Sequence, residues 1–384
     1  MTGPIRIALL TYSTRPRGGV VHTLALAEAL AEAGQDVTVW TLGRGGDARF
    51  FREVDPRVRL AIVPFVDRDG ESTGPRIVRS IEVLRAAFDG ALAAAPPYDV
   101  VHAQDCISAN AVLEAVPAVL RTVHHIDSFT TPELAACHER AIVRPAGHVC
   151  VSAAVAAELA AGWRIRATVI PNGVDAARFA AAAEPAAQPA RDRWRARLGR
   201  YVLAVGGIEP RKGSIELLEA YARLRGAHPD LALVIAGGET LFDYRPYRTR
   251  WEDPAVELGV EPVVLGPVPD PDLPSLVAAA AAFAFPSVKE GFGLAAMEAL
   301  AAGVPTVVSD LPVLREVFGD AAAFASGPGA LAAALADAVD RADLARRAAG
   351  QALAARYTWA EAARRHLELY RSVGAARTSG PFVA

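Results

Sequence analysis

The sequence predicts an α/β fold built from two doubly wound parallel sheets, and three observations lead to this prediction. The chain has 384 residues, of which 52% are hydrophobic, and this suits two domains of about 150 residues each. Short apolar runs, continuous rather than alternating, are followed by longer amphipathic runs, which is typical of parallel strands covered by helices on both faces. The pattern stops once, at the Ala-, Pro- and Glu-rich stretch 176–190, which indicates a linker.

Strands and helices alternate through the first half of the chain. Uninterrupted apolar runs predict strands at 5–12, 36–42, 99–103, 118–123, 148–151 and 167–170. Amphipathic runs predict helices at 20–33 and 75–94, and from 132 and 152 onward. In the helix 20–33, Leu24, Ala27 and Leu30 share one face, and Gly34 ends the pattern.

The same alternation restarts in the second half. Strands are predicted at 201–205, 231–236, 263–265, 282–285 and 305–308, and helices at 214–225, 273–280 and 294–302. The tail predicts an amphipathic helix, because Trp359, Ala363, Leu367 and Tyr370 form one stripe. We therefore expect a first domain over 1–178, a second over 179–356, and a helix over 357–375 that packs back on the first domain. Two such domains would leave a cleft between them, with ligands bound at the carboxyl ends of the strands.

Composition excludes several classes of protein. The net charge of −3 and the pI near 6.3 do not suit a nucleic-acid binder. The three cysteines include no C-x-x-C pair, so neither a disulfide framework nor a zinc knuckle is expected. The uncharged run 273–288 is shorter than the roughly 20 residues of a spanning helix. We expect a cytoplasmic protein whose membrane contact, if it has any, is peripheral.

Two loops of the first half carry candidate binding residues. Gly18 and Gly19 lie between the first strand and the first helix, where glycine lets backbone N–H groups approach an anion; the alternative is a plain tight turn. The spacing is not G-x-G-x-x-G, which counts against a dinucleotide-dependent dehydrogenase. His124 and His125 end a strand, and one of them is expected to face a ligand. The alternative there is a structural histidine.

The loop 206–214 combines two glycines with two adjacent cations, Arg211 and Lys212. Arginine can bind phosphate oxygens bidentately, and lysine contributes a compact point charge. Cations at the start of a helix oppose its macrodipole unless an anion is bound there. The loop therefore predicts a diphosphate site, the alternative being a solvated helix start.

The string from Glu290 to Glu298 places two carboxylates around a glycine-flanked loop. Loop amides can bind phosphate and sugar hydroxyls, and a carboxylate can accept hydrogen bonds from the two hydroxyls of a ribose. The alternatives are an ordinary turn and a surface position for Glu298. Taken whole, the string predicts a binding element for a sugar nucleotide.

Together these motifs resemble those of retaining glycosyltransferases with the GT-B fold, in the sequence family numbered four. The resemblance runs almost end to end. It is carried by Gly18-Gly19, AGQDVTVWT at 33–41, VHAQD at 101–105, TVHH at 122–125, VIPNGVD at 169–175, GGIEPRKG at 206–213, and Glu290–Glu298 with the following EALAAGVPTVVSD. It implies two Rossmann-like domains facing a central cleft.

The resemblance also implies roles for matching residues. Arg211 and Lys212 would hold the donor diphosphate, Glu290 would contact the sugar hydroxyls, and Glu298 would bind the ribose. His124 falls where the family has its active-site histidine. The remaining donor-binding positions implied are Gly18, Gly19, Gly207, Val268, Gly291, Phe292, Gly293 and Leu294.

Two stretches depart from the family pattern. Gly207 stands where many members have an arginine that helps to bind phosphate, so Arg211 and Lys212 would supply both charges. The stretch 238–247 is longer and more aromatic than the usual loop. It would form either a lid over the nucleotide or ordinary surface packing.

The activity implied is transfer of a hexosyl group from a nucleotide-diphosphate sugar to an acceptor, with retention at the anomeric carbon. The acceptor could be a glycan, a lipid or a small metabolite. No cofactor and no metal are expected, because the D-x-D triplets Asp67–Asp69 and Asp270–Asp272 lie in loop-like contexts. The alternative is a nucleotide-sugar epimerase or hydrolase on the same fold. A solute-binding protein would also have two α/β lobes, but it would need an export signal.

Overall fold

The computed structural model describes residues 3–237 and 245–378. These divide into two compact units. The first contains the described residues up to Gly173 and those from Trp359 onward, and the second runs from Val174 to Thr358. The sequence placed the corresponding boundaries at 178 and 356.

The first unit is built on a parallel sheet with helices on its faces. Its strands are β1 (Arg6–Leu10), β2 (Asp36–Arg44), β3 (Arg59–Phe65), β4 (Val100–Ala103), β5 (Val119–Val123), β6 (Gly147–Cys150) and β7 (Thr168–Val169). Its first helices are α1 (Gly18–Glu32), α2 (Thr73–Ala94), α3 (Cys106–Val112), α4 (Pro132–Val143) and α5 (Ala153–Trp163). Among the described residues the strand order is β3-β2-β1-β4-β5-β6-β7, with parallel neighbours throughout.

The second unit repeats this plan. Its strands are β8 (Arg200–Val205), β9 (Leu231–Ala236), β10 (Val263–Gly266), β11 (Ala282–Phe285), β12 (Thr306–Ser309) and β13 (Ala323–Ala325). Its helices are α6 (Ala176–Ala181), α7 (Gln188–Leu198), α8 (Ser214–Ala227), α9 (Arg245–Glu257), α10 (Leu273–Ala279), α11 (Leu294–Ala301), α12 (Pro312–Phe318), α13 (Gly327–Asp340) and α14 (Leu344–Arg356). Short 3₁₀ turns cover Pro185–Ala187, Pro210–Lys212, Asp270–Asp272 and Gly319–Ala321. The described strands follow the order β10-β9-β8-β11-β12-β13 and are parallel.

The last helix, α15 (Trp359–Thr378), belongs to the first unit. Ala363, Leu367 and Tyr370 are buried in one core with apolar residues of α1 and of the sheet. They lie on the stripe that the sequence predicted to be apolar. Burial of that stripe is what gives a helix of this composition its stability.

The linker predicted at 176–190 is wrong, because this stretch is mostly helical. Its alanines favour helix, and the Asp175 side chain caps α6 by accepting a hydrogen bond from the Arg178 N–H at 3.1 Å. Phe179 is buried, and the buried Arg191 donates from Nη1 to the Glu184 carbonyl at 2.9 Å. The Ala-, Pro- and Glu-rich composition without a clear pattern, which suggested a linker, belongs to short helices that pack on the second unit.

The strand order reverses once in each sheet, between β1 and β4 and between β8 and β11. At such a switch point the connections leave in opposite directions, so the carboxyl ends of the two central strands are open to a ligand. Each predicted glycine-rich loop follows one of these strands.

Candidate functional site

Two of the predicted loops meet at the switch point of the second unit. β8 and β11 are neighbours, with Val202 opposite Ala282 and Leu203 opposite Phe283. The loops that follow them are joined directly, because the Val288 N–H donates to the Arg211 carbonyl at 2.9 Å. Residues 206–213 and 286–293 therefore form one surface at the carboxyl edge of the sheet.

Gly213 allows this close approach. Its φ is +61°, and a Cβ at this position would lie 2.0 Å from the Pro286 carbonyl oxygen. Any residue other than glycine would be strained in its backbone and would separate the two loops.

Arg211, Lys212 and Glu290 come together on this surface. One oxygen of Glu290, Oε1, accepts hydrogen bonds from Lys212 Nζ, from Arg211 Nη1 at 3.3 Å and from Ser287 Oγ at 3.1 Å. Arg211 Nε also lies 3.4 Å from Oε2 of the buried Glu209. Both cations are therefore held in place by carboxylates before any anion arrives.

Lys212 is enclosed as well as paired. Its Nζ lies 5.0 Å from the centre of the Phe285 ring, and its side chain is 17% exposed. Burial lowers the pKa of Lys212 from its usual value, and the carboxylate of Glu290 opposes that change. A cation with so little water around it interacts strongly with a phosphate group that reaches it.

The glycine-flanked loop leads into α11. Gly293 precedes the helix with a φ of +94°, and a Cβ there would lie 3.0 Å from the Phe318 ring. Phe292 is 3% exposed and packs edge-on against Tyr357, with ring centres 5.3 Å apart. The phenyl ring is thus a core element, and any contact of this residue with a donor would come from its backbone.

Glu298 lies on α11 in an environment that disfavours its charge. Burial raises the pKa of Glu298 to about 8, and the nearby carboxylates of Asp270 and Asp175 act in the same direction. Arg178 opposes the shift, but its Nη2 is paired with Asp270 Oδ2 at 2.8 Å. Hydrogen bonds donated to the charged carboxylate would lower this pKa again.

Asp270 belongs to one of the D-x-D triplets, and its partner is an arginine. Across residues 3–237 and 245–378, no group of three His, Cys, Asp or Glu side chains could hold a metal ion.

The other predicted donor positions of the second unit lie on neighbouring strand ends. Gly207 follows β8, and Val268 lies two residues after β10. The ends of β8 and β9 approach closely, since a Cβ at Gly237 would lie 2.3 Å from the Gly206 carbonyl oxygen. Of the aromatic stretch 238–247, residues 238–244 lie outside the described residues. The helix α9 begins at Arg245.

In the first unit, the structure brings Gly19 and His124 together. Gly18 and Gly19 begin α1 after β1, and His124 follows β5. A Cβ at Gly19 would lie 3.7 Å from Cδ2 and from Nε2 of His124, whereas one at Gly18 would meet no atom within 4 Å. The neighbouring His125 turns elsewhere, with Nε2 2.8 Å from Asp127 Oδ2.

His124 is held as a neutral imidazole. Burial lowers its pKa well below 6.5, and His22 and Arg121 act in the same direction. Among the described residues its Nε2 is buried without a hydrogen-bond partner. The ring therefore keeps an unused polar atom beside the Gly19 backbone.

Four residues of these sites were missed by sequence reasoning. Glu209 pairs with Arg211, Ser287 donates to Glu290, Arg178 lies beside Glu298, and His22 contacts the ring of His124 at a centroid distance of 4.8 Å. Glu209 lies inside the recognised GGIEPRKG string, so its proximity to Arg211 was a usable signal. Ser287 lies only three residues before Glu290, whereas the contacts of Arg178 and His22 link residues far apart in the chain.

Comparison with known proteins decides the family. The model named Glycosyltransferase Family 4 matches residues 16–178, and the model named Glycosyl transferases group 1 matches residues 191–354. A phosphatidyl-myo-inositol mannosyltransferase from Mycolicibacterium smegmatis is 30% identical over 334 residues, covering 80% of this chain and 77% of the relative. This chain belongs to glycosyltransferase family 4.

Other members of the family match over more of the chain. A D-inositol 3-phosphate glycosyltransferase from Salinispora tropica is 32% identical over 421 residues, covering 96% of this chain and 85% of the relative. As a family 4 protein, the chain is a glycosyltransferase.

Solved structures match the fold. Sucrose-phosphate synthase from Thermosynechococcus elongatus superposes with a TM-score of 0.74 at 23% identity, covering 97% of this chain and all of the other. HepE from Anabaena in complex with UDP and glucose gives 0.71 at 19% identity, covering 96% and 100%. The family 4 enzyme thus has the GT-B fold that its motifs predicted. No helix within its described residues is long and apolar enough to cross a membrane.

Proposed function

We propose that this family 4 enzyme transfers a sugar from a nucleotide-diphosphate sugar to an acceptor hydroxyl, with retention at the anomeric carbon. The observation that carries the proposal is the grouping of Arg211 and Lys212 with Glu290 at the carboxyl ends of β8 and β11. Two adjacent cations beside glycine-bounded loops, one of them enclosed, suit a diphosphate better than any other common ligand group.

The cations would act mainly on the leaving group. As the bond from the sugar to the diphosphate breaks, negative charge builds on the diphosphate oxygens. Arg211, Lys212 and the loop amides would stabilise that charge because they are already oriented. Loss of one such contact typically costs about 2.7–4 kcal/mol.

The two carboxyl groups would orient the donor. Glu290 would accept hydrogen bonds from sugar hydroxyls while it stays paired with the cations. Glu298 would accept from the ribose hydroxyls, and its proton would leave as those bonds form. In this proposal the two carboxyl groups do not work together as the acid and base of a glycoside hydrolase.

Retention would not need a protein nucleophile. Oε1 of Glu290 already accepts from Lys212, Arg211 and Ser287, which makes that oxygen a poor nucleophile. We propose instead that the acceptor hydroxyl attacks from the face that the diphosphate leaves. A diphosphate oxygen would take the hydroxyl proton, so the bond to the acceptor forms as the bond to the diphosphate breaks.

A metal would also not be needed. The positive charge that a metal would provide is present in Arg211 and Lys212, and Asp270 is occupied by Arg178. We expect turnover to persist in EDTA at wild-type levels.

The first unit would serve the acceptor and the transferred sugar. His124 and Gly19 lie together at the carboxyl edge of the sheet of this unit. A neutral imidazole can donate a hydrogen bond to a hydroxyl or accept one from it. The names of both relatives give an inositol-containing acceptor, and the name of the Mycolicibacterium smegmatis relative gives mannose as the transferred sugar. Mannose donors with inositol-containing acceptors are therefore the first pair to test.

Two measurements test the proposal. The first identifies the donor by thermal shift with UDP-, GDP- and ADP-sugars, since a ligand at 100 times its dissociation constant adds about 2.7 kcal/mol to stability. The second measures release of nucleotide diphosphate with and without acceptor, and determines the anomeric configuration of the product by NMR. Release that requires acceptor and a product with the donor's configuration support the proposal. Release without acceptor would favour a hydrolase.

Point variants test the site itself. We expect Lys212→Ala and Glu298→Ala each to lower turnover at least about 100-fold, the scale of losing a charge-stabilising contact. Arg223→Ala is the matched control, because it removes a cation from an exposed position on α8 and should leave turnover unchanged. Near-normal activity of both site variants would overturn the assignment.

A further inference from the structure

A group of buried histidines lies between the sheet of the first unit and the helices α1 and α15. His22, His102 and His366 are fully buried, and His124 lies at the edge of the group. The ring centres of His22 and His124 are 4.8 Å apart, and those of His102 and His366 are 5.7 Å apart. Apart from His124, none of these imidazoles has a role in the proposed reaction.

His22 is the member that contacts His124. It lies on α1 one turn after Gly19, where a Cβ would lie 3.7 Å from Cδ2 and Nε2 of His124. The planes of His22 and His124 cross at 78°, which is the edge-to-face arrangement that aromatic rings prefer at this distance. The His124 ring thus lies close to both Gly19 and His22.

His22 is itself held by a hydrogen bond. Its Nδ1 lies 2.9 Å from Oδ1 of Asn172, which is 4% exposed. Because an amide oxygen only accepts, Nδ1 of His22 carries the proton and Nε2 does not. Burial lowers the pKa of His22 to about 3, and His366 acts in the same direction. The ring therefore stays neutral, in one tautomer and one orientation.

The partners of His22 lie next to the two points where the chain passes between the units. Asn172 precedes the passage at 173/174, and Trp359 follows the passage at 358/359. The Trp359 ring packs edge-on against His22, with centroids 5.4 Å apart and an angle of 75°. One imidazole therefore contacts both connecting segments and His124.

We propose that His22 is a positioning residue for His124, which it orients through ring contact while Asn172 and Trp359 hold His22 in place. The inference rests on the proposed function, because it takes His124 to face the reacting groups. A displacement of about 1 Å at such a group can lower turnover about 100-fold. Through His22, the orientation of His124 depends on both chain passages.

The kinetic test compares three variants. His22→Ala removes the ring, and we expect kcat to fall about 10- to 100-fold with the donor KM changed less than about threefold, since the donor residues of the second unit are untouched. His22→Phe keeps a ring and should recover kcat to within about threefold of wild type. His148→Ala is the control, because His148 is a buried histidine of the same unit that bonds the Ile142 carbonyl instead. It should retain wild-type kcat.

A spectroscopic test reads the position of His124 without activity. With ¹⁵N-labelled histidine, the His124 ring should show one tautomer in the wild type and in His22→Phe. In His22→Ala, the His124 ring should give a signal averaged over its two tautomers. If His22→Ala fails to fold, His22→Leu fills the space without a ring and takes its place, with the same expectation.

The outcomes separate the two proposals. Unchanged kcat in the ring-deleted variant, or a His124 signal that ring deletion leaves unchanged, would overturn the positioning role. An equal loss of kcat in His148→Ala would also overturn it, since any buried histidine would then do the same. If the proposed function is wrong, His124→Ala should show normal turnover. The ¹⁵N signal would still report whether His22 fixes the ring of His124.

Discussion

Glu298→Gln should make the protein more stable at pH 8 and a weaker binder of its donor. The folded protein holds the proton of Glu298 up to about pH 8, whereas the ordinary value is 4.5. The cause is burial of the carboxyl group on α11, aided by the charges of Asp270 and Asp175. A neutral amide of the same shape avoids the cost of burying that charge.

The sign and size follow from proton linkage. When folding raises the pKa of a carboxyl group, the protein becomes less stable as the pH rises from the pKa of the unfolded state towards the pKa of the folded state. Between pH 5 and pH 8 this shift lowers the free energy of unfolding by about 3.5 kcal/mol. Water around the half-buried carboxyl reduces the effect to about 2 kcal/mol. The variant lacks this titration, so the two proteins should have similar stability at pH 5. At pH 8 the variant should be more stable by about 2 kcal/mol.

Urea unfolding at both pH values measures this difference. Tryptophan fluorescence is a suitable signal, because Trp251 is buried in the core of the second unit. Comparing the two proteins at each pH cancels the titration of all other groups. A stability difference that is the same at pH 5 and pH 8 would refute the reasoning. Donor affinity, measured in parallel by calorimetry, should be lower in the variant at pH 8, because the amide has one neutral acceptor oxygen where an ionised carboxylate has two charged ones.

Two further predictions address the loops and the histidine. Gly213→Ala should lower both the melting temperature and kcat, because its Cβ would lie 2.0 Å from the Pro286 carbonyl oxygen and would move Glu290 away from Lys212. A Cβ at Gly226, within the α8 helix that Gly213 precedes, would meet no atom within 4 Å. Gly226→Ala should therefore raise stability by about 0.5–1 kcal/mol, and equal effects of the two changes would contradict this account. His124 is neutral well below pH 6.5, so kcat/KM against pH should show no inflection near 6.5. An inflection there that disappears in His124→Gln would show that the imidazole titrates in the active protein.

The order of strands and helices was largely readable from the sequence. The predicted runs 231–236 and 282–285 coincide with β9 and β11, because strands buried on both faces read as unbroken apolar runs. Edge strands give a weaker signal, and β3 was missed. It starts with exposed residues and contains Pro64, as edge strands can.

The helices at 176–198 show a different limit. Their sequence is rich in Ala, Pro and Arg, and local pattern alone did not separate them from a linker. Their stability depends on the cap at Asp175 and on the burial of Phe179 and Arg191. Capping depends on backbone geometry, and burial depends on the rest of the second unit, so neither is encoded in the window of residues that the prediction used.

The sequence by itself determined the two α/β sheets, the glycine-rich loops after their central strands and the charged residues within those loops. These follow from local chemistry, since apolar periodicity, backbone freedom and charge belong to each residue and its neighbours. Only the tertiary structure decided which of these residues meet. Glu290 pairs with Lys212 across 78 positions, because parallel sheets bring distant strand ends to one edge. His22 bonds Asn172 across 150 positions, because α1 packs back on the sheet of the first unit. The raised pKa of Glu298 and the lowered pKa of His124 were decided in the same way, since both depend on how much water the folded chain excludes.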